Sequence, residues 1–435
     1  MMGTAALRRR ILARRARVAV VGQGYVGISL ACAASDAGFT VSGVDVDAAR
    51  IAALARDELT VPGVDPELFR AGVAAGNMTF DTDAGAAADA DVVLICVPTP
   101  VRDHTPDLSF VEQACRDVAN NLTAGCLVVL ESTTYPGTTE DLVRPILESS
   151  GLTANRDFLL AYSPERIDPG NIEWGLKNTP KIVGGITPEA TGLATLFYEQ
   201  LVEKVVAVSS CRAAELAKLL ENTFRHVNVA LVNEMATLCY ETGIDVWEVT
   251  EAAATKPFGF MPFTPGPGVG GHCIPLDPAY LAWQVRRDAG HQFRILEQAQ
   301  DINAQMPTYV ASRINDALND VGKPVKGARI LVLGVAYKPD IGDVRESPAL
   351  KVMAMLARRG ALIAFNDPHA DEVVVAGTRF TCTDLTQREL ARADCVALLT
   401  PHRAYDLEWI AEHAELLFDA RNAYGSTHHP NVVRL

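Results

Sequence analysis

The chain of 435 residues lacks any apolar run long enough to cross a bilayer, since the longest, such as DVVLICVP at 91–98, are far too short. Six arginines lie within the first 17 residues, but no apolar segment typical of a signal peptide follows them, so we expect a short basic helix there. Excess positive charge is also absent. The formal net charge of −14 argues against nucleic acid as a partner, and any anionic ligand requires a local group of donors.

Regularly spaced cysteine pairs are missing as well. The nine cysteines include no CxxC pair, and Cys32, Cys96, Cys239 and Cys395 lie in apolar segments where a core position is natural. This pattern argues against a disulfide framework and a structural zinc site, and it predicts a cytoplasmic protein without a membrane partner. Apolar residues at 49% and charged residues at 21% are typical of globular proteins, and the length predicts two or three domains.

An alternation of strands and helices dominates what is present. Residues 16–47 have the pattern of a strand, a glycine-rich turn, a helix and a second strand, and further strands are predicted at 91–100 and 126–133. This order is typical of a doubly wound parallel sheet. A helix without glycine or proline follows from about Arg212 to Thr242, with apolar residues on most faces, so we expect it to be buried or shared with a partner.

The strand series returns from residue 328, where ARILVLGVAYKP keeps only Gly334 of the glycine pattern. We therefore predict the α/β class, with two Rossmann-like doubly wound parallel-sheet domains joined by a long central helix. The predicted domains are a dinucleotide-binding domain at 1–210, a central helical region at 211–320 and a C-terminal domain at 321–435. The weakened glycine pattern indicates that the C-terminal domain binds something other than a dinucleotide.

The hexapeptide GQGYVG (22–27) matches GxGxxG between an apolar strand and a helix. Gly22 permits the tight turn, Gly24 lets the backbone approach a pyrophosphate, and Gly27 lets helix and strand pack closely. Asp45, at the end of the next strand, can accept from both adenosine ribose hydroxyls, which favours NAD over NADP. A glycine turn without a ligand is the alternative.

Two further groups carry potential chemistry. Lys218 and Asn222 share one face of the long helix and can stabilise an oxyanion, although a solvated helical face explains their spacing as well. Cys273, in GPGVGGHCIPLDP, is either a nucleophile or a small residue in a tight turn, and Asp277 can orient a lysine or a water. A metal site is not expected, because His272 and Cys273 are adjacent and no other ligand cluster stands nearby.

Together these segments resemble the UDP-glucose/GDP-mannose dehydrogenase family along nearly the whole chain. The motifs that carry the resemblance are VVGQGYVG, CVPTP, STTYPGT, YSPER, KLLEN, GGHCIPLDP, AYKPDIGDVRESPA and FDARN. The resemblance implies an N-terminal NAD domain, a central dimerising helix and a C-terminal nucleotide-sugar domain. It also implies oxidation of a sugar CH2OH to a carboxylate in two steps with two NAD+ and no metal, by a homodimer.

The resemblance further implies residue roles. Cys273 is the nucleophile that forms a thiohemiacetal and then a thioester, Lys218 and Asn222 stabilise the oxyanion, and Glu165 assists hydrolysis. Thr133 and Asp277 position a water and the lysine. The expected cofactor-binding residues are Gly22, Gln23, Gly24, Tyr25, Val26, Gly27, Asp45, Arg50, Thr99, Thr133 and Arg345. The expected substrate-binding residues are Glu165, Arg166, Lys218, Asn222, Phe263, Gly268, Gly270, Tyr337, Lys338 and Arg421.

The sugar is less defined by these motifs. PFTPGPGVGGHCIPLDP resembles the branch that oxidises UDP-N-acetylhexosamines, whereas Ile167 stands where a polar residue is expected in the acetylglucosamine-type enzymes. Residues 165–171 and 258–268 are therefore also compatible with UDP-glucose or dTDP-glucose.

Two other classes of protein remain as alternatives. A hydroxyacid dehydrogenase would not need Cys273 or the second α/β domain, and a non-catalytic nucleotide-sugar sensor would be expected to have lost the thiol or the lysine.

Overall fold

The computed structural model describes residues 2–59, 61, 64–102, 105–168, 171, 173–271 and 273–435. The chain divides into two compact units. The first unit runs to Glu221 and includes Ala279–Arg287, and the second comprises Asn222–Pro278 and Asp288–Leu435. Two helices, α8 (Cys211–Thr242) and α10 (Cys273–Ala289), contribute residues to both units.

An eight-stranded sheet forms the centre of the first unit, in the order β10-β9-β8-β7-β4-β1-β2-β3. Its strands are β1 (Arg17–Val21), β2 (Thr40–Val44), β3 (Met78–Asp81), β4 (Val92–Ile95), β7 (Leu127–Leu130), β8 (Leu159–Tyr162), β9 (Lys181–Gly185) and β10 (Val205–Ala207). The six strands from β3 to β8 are parallel, and β9 pairs antiparallel with β8. The strand order therefore reverses between β1 and β4, where ligands bind in sheets of this kind.

Helices cover both faces of this sheet, as its buried apolar strands require. They are α1 (Met2–Leu12), α2 (Tyr25–Asp36), α3 (Ala48–Ala55), α4 (Pro66–Ala74), α5 (Ser109–Asn121), α6 (Arg144–Glu148) and α7 (Pro188–Tyr198). A short hairpin of β5 (Val101–Arg102) and β6 (Thr105–Pro106) follows β4. The basic N-terminal segment is a helix, as predicted, and its Leu7 and Ile11 are fully buried in the core.

The second unit contains a parallel five-stranded sheet in the order β12-β11-β15-β16-β17. Its strands, with a separate hairpin of β13 and β14, are β11 (Arg329–Leu333), β12 (Leu362–Asn366), β13 (Glu372–Val375), β14 (Thr378–Thr381), β15 (Cys395–Leu398), β16 (Leu417–Asp419) and β17 (Val432–Arg434). The helices of this unit are α9 (Val246–Ala254), α11 (Arg294–Asp320), α12 (Pro348–Arg358), α13 (Gln387–Arg392) and α14 (Leu407–His413). The predicted class of two parallel-sheet α/β domains joined by a long helix is confirmed.

The turn after β11 repeats the geometry of the turn after β1. Gly22 and Gly334 have φ values of 93° and 78°. Each donates its N–H to the carbonyl of the last residue of the neighbouring strand, Val44 of β2 and Asn366 of β12 respectively. A Cβ at Gly334 would overlap the Thr400 backbone, so only glycine fits there. The second sheet therefore keeps the one glycine that the turn itself requires.

Among the described residues, none of the helices combines the length and the apolar character that a bilayer span requires. None of the eight cysteines whose side chains are described takes part in a disulfide, and Cys32, Cys96, Cys239 and Cys395 are buried.

Candidate active site

The glycine-rich turn lies at the carboxyl edge of the first sheet, beside the point where the strand order reverses. The N–H of Gly22 donates to the Val44 carbonyl at 2.7 Å. A Cβ at Gly27 would overlap the Gly22 carbonyl oxygen, whereas a Cβ at Gly24 would meet no described atom within 4 Å. The close approach at Gly27 requires glycine for helix–strand packing, and the open space at Gly24 leaves the backbone accessible to a ligand.

Helix α2 begins at Tyr25, and its N-cap is Gly24, which has no side chain to satisfy the first N–H groups. These N–H groups and the helix dipole attract an anion such as a pyrophosphate. Gln23 is buried and donates from Nε2 to the Val20 carbonyl at 2.7 Å. Tyr25 and Val26 pack against the core, so this segment presents backbone rather than side chains to a ligand.

The Asp45 carboxylate is held at the end of β2 by three donors. Its Oδ2 accepts from the Gln23 N–H at 2.7 Å and from Arg50 Nη1 at 2.8 Å, and its Oδ1 accepts from the Asp47 N–H at 2.9 Å. Oδ1 keeps a second lone pair for a ribose hydroxyl. The exposed backbone at Gly24, the N–H groups of α2 and this buried carboxylate together fit NAD.

Two threonines follow the neighbouring strands β4 and β7. Thr99 is buried, and its carbonyl accepts a hydrogen bond from the Tyr280 hydroxyl at 2.8 Å. Gln284, one turn further along α10, donates from Nε2 to the Pro136 carbonyl at 2.7 Å. Helix α10 thus fixes both the loop that carries Thr99 and the loop that carries the half-buried Thr133.

The loop after β7 is also anchored to α8. Glu215 is fully buried and accepts from the Gly137 N–H at 2.6 Å and from the Thr139 N–H at 2.9 Å. Burial raises the pKa of this carboxyl, and these hydrogen bonds oppose the rise. Glu215 lies three residues before Lys218 on the same helix, so α8 positions both groups within the first unit.

Glu165 follows β8, and both of its carboxylate oxygens are engaged. Its Oε1 accepts from the N–H groups of Arg166 and Ile167, each at 2.6 Å, and its Oε2 accepts from Lys181 Nζ at 3.2 Å. Arg166, expected at the substrate, forms an ion pair with Glu221 of α8 at 2.8 Å. The segment is therefore fixed by side chains from β9 and α8.

Lys218 and Asn222 lie one turn apart on α8, with 7% and 5% of their surfaces exposed. A solvated helical face is therefore excluded for this pair. Within the second unit, Asn222 Nδ2 donates a short hydrogen bond to Asp277 Oδ2, and Asp277 is buried as well. This amide–carboxylate pair orients the Asn222 side chain and leaves one N–H of the amide for a further acceptor.

Cys273 is the first residue of α10, four residues before Asp277, so the two positions share one face of that helix. Its thiol, like the whole of His272, lies outside the described part of the chain. The helix begins at Cys273 itself, although the neighbouring glycines and prolines are typical of a tight turn, and it contains Pro278.

In the second unit, the glycine-rich loop before Cys273 packs against residues of the second sheet. Gly266 donates its N–H to Asn233 Oδ1 at 3.0 Å, and a Cβ there would overlap the Arg421 guanidinium. An ideal Cβ at Gly271 would lie 2.7 Å from Tyr337 Cε2. The structure therefore brings together this loop, Tyr337 and Arg421, and the protein itself occupies the space beside Gly271.

Other predicted substrate residues lie around the same loop. Gly268 has a φ of 126°, and a Cβ at Gly270 would lie 2.8 Å from both Tyr337 Cβ and Pro348 Cδ. Phe263 packs edge-to-face on Phe224, with ring centroids 5.8 Å apart. These glycines are required by close packing against protein atoms.

Two basic residues of this unit differ in their surroundings. Burial lowers the pKa of Arg421 to about 10, although Asp419 opposes this, and Arg421 Nε donates to the Leu399 carbonyl at 3.3 Å. Arg345, expected at the cofactor, is exposed and pairs with Asp343 at 2.6 Å. Lys338 follows Tyr337 directly after the turn that ends β11.

Asp340, His369 and His402 approach one another near the carboxyl edge of the second sheet. His402 Nδ1 accepts from the Asp340 N–H at 2.9 Å, and its Nε2 lies 3.0 Å from Asp367 Oδ2. Both ring nitrogens are thus engaged within the protein, and this group links the ends of neighbouring strands.

Sequence reasoning missed a buried charged group beside Glu165. Glu131 and Lys181 form an ion pair at 2.5 Å with 0% and 3% of their side chains exposed, and Tyr198 donates to Glu131. The available signal was a single charged residue beside each apolar strand segment: Glu131 directly follows LVVL, and Lys181 is the first residue of KIVGG. It does not identify the partner, because the two residues lie 50 positions apart.

Three family models match the chain in order. They are the NAD binding domain (16–202), the central domain (212–305) and the UDP binding domain (331–426) of the UDP-glucose/GDP-mannose dehydrogenase family. The chain is 34% identical to the UDP-N-acetyl-D-mannosamine dehydrogenase of Pyrococcus horikoshii over 413 residues, 93% of this chain and 95% of that protein.

Two solved structures are similar over most of their length. The Pyrococcus horikoshii UDP-D-ManNAc dehydrogenase has a TM-score of 0.87 at 32% identity and covers 96% of this chain and 98% of its own. A UDP-glucose dehydrogenase from Pyrobaculum islandicum has a TM-score of 0.83 at 29% identity, with 93% and 94% covered. The chain therefore belongs to the UDP-glucose/GDP-mannose dehydrogenase family, and it is an NAD-dependent oxidoreductase of nucleotide sugars.

Proposed function

We propose that this protein oxidises the C6 CH2OH group of a nucleotide sugar to a carboxylate in two steps, through a covalent intermediate on Cys273. The observation that carries the proposal is the buried hydrogen bond between Asn222 and Asp277, the latter four residues from Cys273 on α10. The backbone places Cys273 at the N-terminus of a 17-residue helix, a position at which the helix dipole favours a thiolate.

NAD+, when bound, supplies the acceptor for the hydride that leaves C6 in each of the two oxidations. After the first oxidation, the Cys273 thiol adds to the aldehyde carbon. This addition forms a C–S bond and an oxyanion, and the oxyanion becomes the thiohemiacetal hydroxyl. The second oxidation gives a thioester. Water then attacks its carbonyl carbon, a proton passes to Glu165, and the C–S bond breaks to return the thiol.

The remaining residues act on charge and orientation. The free N–H of the Asn222 amide and the Lys218 ammonium stabilise the oxyanion, and Asp277 acts by orienting that amide. Thr133 positions a water. Because the aldehyde stays bound to the thiol, one set of residues carries out both oxidations without releasing a reactive product.

We propose a UDP-N-acetylhexosamine as the substrate, with Tyr337, Lys338 and Arg421 holding the nucleotide diphosphate. The similarity to UDP-N-acetyl-D-mannosamine dehydrogenases supports this sugar. UDP-glucose or dTDP-glucose is the second candidate. Ile167 favours it, because an apolar side chain beside Glu165 offers no hydrogen bond to an N-acetyl group, and the similarity to a UDP-glucose dehydrogenase supports it as well.

We also propose a homodimer that buries one face of α8. At 100° per residue, five apolar positions of this face all lie within about 40° on either side of one line along the helix. They are Leu216, Leu220, Phe224, Leu231 and Leu238. Between 45% and 64% of each of these side chains is exposed. We call these five residues the apolar row. A second copy of the chain is the occupant that symmetry makes self-complementary for such a face.

The test is an NADH-release screen over UDP-glucose, dTDP-glucose, GDP-mannose and the UDP-N-acetylhexosamines. We expect two NADH per sugar with the true substrate, and loss of steady turnover in Cys273→Ser with binding retained. Thiol alkylation should inactivate the enzyme, and the nucleotide sugar should protect it. Cys382→Ser, a half-buried cysteine of the second unit, is the matched control and should remain active. Near-normal release of two NADH by Cys273→Ser would refute the covalent mechanism.

A further inference from the structure

Lys181 is the first residue of β9 and lies between two carboxylates of the first unit. Its Nζ is 2.5 Å from Glu131 Oε2 and 3.2 Å from Glu165 Oε2. The exposed fractions of the three side chains are 3%, 0% and 11%, so water screens these charges weakly. Burial alone would lower the pKa of Lys181, but the two carboxylates outweigh it and raise that pKa, so the ammonium stays charged.

Two neutral side chains from other elements also face this cluster. Tyr198 of α7 donates its hydroxyl to Glu131 Oε1, and Lys181 Nζ lies 5.4 Å from the centre of its ring. Cys96, which follows β4, also faces the charges, and burial raises the pKa of both Cys96 and Tyr198 well above their ordinary values. The cluster therefore holds one cation and two carboxylates, and the Lys181 ammonium forms an ion pair with Glu165 as well as with Glu131.

The contacts of Glu165 distinguish its two oxygens. Oε1 accepts two backbone N–H groups, from Arg166 and Ile167, and these use both of its lone pairs. Oε2 accepts one N–H from Lys181 and keeps one lone pair. The carboxylate plane is thus fixed on both sides, and Oε2 is the atom with capacity to accept a proton from water.

We propose that Lys181 is a positioning residue for Glu165: anchored by Glu131, its ammonium holds the Glu165 carboxylate in place and aims Oε2 at the water that hydrolyses the thioester. This inference rests on the proposed function of Glu165. The Lys181 ammonium holds Oε2 by a hydrogen bond, and a general base acts only when it lies within reach of the proton that it takes. Lys181 therefore acts on hydrolysis and leaves the two oxidations intact.

The main variant is the double substitution Lys181→Met/Glu131→Met. Lys181→Met alone leaves Glu131 as a buried unpaired charge and threatens folding, whereas replacing both members of a buried ion pair by apolar side chains is tolerated. Lys181→Arg keeps the cation and serves as the conservative rescue. Lys177→Met is the matched surface control, because Lys177 is exposed and lies four residues before Lys181.

Stopped-flow NADH absorbance and intact-protein mass are the measurements. The double variant should release a rapid burst of two NADH per active site and then turn over at least 20-fold more slowly than the wild type. Its mass should show the acyl group on the enzyme, and hydroxylamine, which cleaves thioesters directly, should restore steady NADH release. Lys181→Arg should recover most of the rate, and Lys177→Met should match the wild type.

A purely structural role for Lys181 predicts a different result. The burst amplitude and the steady rate of the double variant would then fall together, without accumulation of acyl-enzyme, and this would overturn the proposal. Failure of the proposed function is recognised separately, because the wild type itself would then release other than two NADH per sugar and form no covalent adduct in a rapid quench.

Discussion

Asn222 donates a hydrogen bond from its side-chain amide to the carboxylate of Asp277, and both side chains are at least nine-tenths buried. The bond joins a helix that carries a lysine one turn earlier to the helix that begins at Cys273. Because a buried amide without a partner is costly, each of the two residues fixes the orientation of the other.

Asp277→Asn should therefore retain the fold and lose activity. The amide is nearly isosteric and can still accept from Asn222, so the melting temperature should stay within a few degrees. A neutral acceptor nevertheless holds the Asn222 amide more weakly than a carboxylate does. We expect kcat to fall roughly tenfold or more, equivalent to about 1.4 kcal/mol. The measurement is steady-state NADH release. Asp320→Asn, at the exposed end of α11, is the control, and an unchanged kcat in Asp277→Asn would exclude a role for the charge.

A second prediction concerns the cofactor. A 2′-phosphate placed at the adenosine ribose would face the Asp45 carboxylate, which lies 2.7 Å from the Gln23 N–H. Like charges about 4 Å apart repel by about 4 kcal/mol near a protein surface, so we expect kcat/KM for NAD+ to exceed that for NADP+ by roughly 100-fold or more.

Asp45→Ala should narrow this preference, because it removes the repulsion and releases Arg50 from its ion pair at 2.8 Å, so that the arginine can reach the phosphate. Asp36→Asn, an exposed acidic residue at the end of α2, should leave the ratio unchanged. Equal kcat/KM for the two cofactors in the wild type would contradict the prediction.

Much of the fold could be predicted because its signals are local. The helix expected from about Arg212 to Thr242 is α8, and Gly243, with a φ of 70°, ends it. Helix α12 has Ser347 as its N-cap, and the Ser347 side chain accepts from the Ala349 N–H. Local backbone geometry favours glycine at a left-handed position after a helix and serine at an N-cap. Both helix boundaries can therefore be recognised from the residue type alone.

The features that escaped prediction depend on distant partners. The helix at Cys273 begins within a glycine- and proline-rich stretch whose composition predicts a loop. Strand β9, which begins at Lys181, pairs antiparallel with β8, although the alternation of strands and helices predicts parallel strands throughout. The same kind of long-range packing brings Tyr337 against Gly270 and Gly271. Strand direction and side-chain packing of this kind are set by tertiary contacts.

The apolar row on α8 leads to a third prediction. Leu220→Glu/Leu231→Glu places two charges on a face that a second copy would bury, and 64% and 60% of these leucines are exposed in the single chain. We expect the variant to sediment as a monomer at concentrations where the wild type is a dimer, with a dimer Kd at least 100-fold higher. The estimate assumes about 1–2 kcal/mol for each desolvated charge in each copy.

Leu362→Glu is the matched control for this experiment, because Leu362 is 59% exposed but lies in the second sheet and outside the apolar row. Its sedimentation should match that of the wild type. A wild-type chain that sediments as an active monomer at assay concentration would contradict the dimer, whatever the variants do.

The last prediction concerns His226, which is 3% exposed on α8 and lies against Asn303, whose amide Nδ2 donates to the His226 carbonyl at 3.1 Å. Burial lowers the pKa of His226 to about 4 from the ordinary 6.5. The unfolded chain therefore binds a proton between these values that the folded chain does not. Stability contributed by the neutral imidazole is present above about pH 6.5 and is lost as the pH falls toward 4, to a limit of about 3 kcal/mol.

His226→Gln keeps a polar side chain without a group that titrates in this range, so its melting temperature should fall less than that of the wild type between pH 7 and pH 5. The two proteins are compared by differential scanning calorimetry at both pH values. His291→Gln is the control, because His291 is exposed and should leave the wild-type pH dependence intact. An equal fall in His226→Gln and wild type would show that His226 does not set the acid sensitivity, and that other groups carry it.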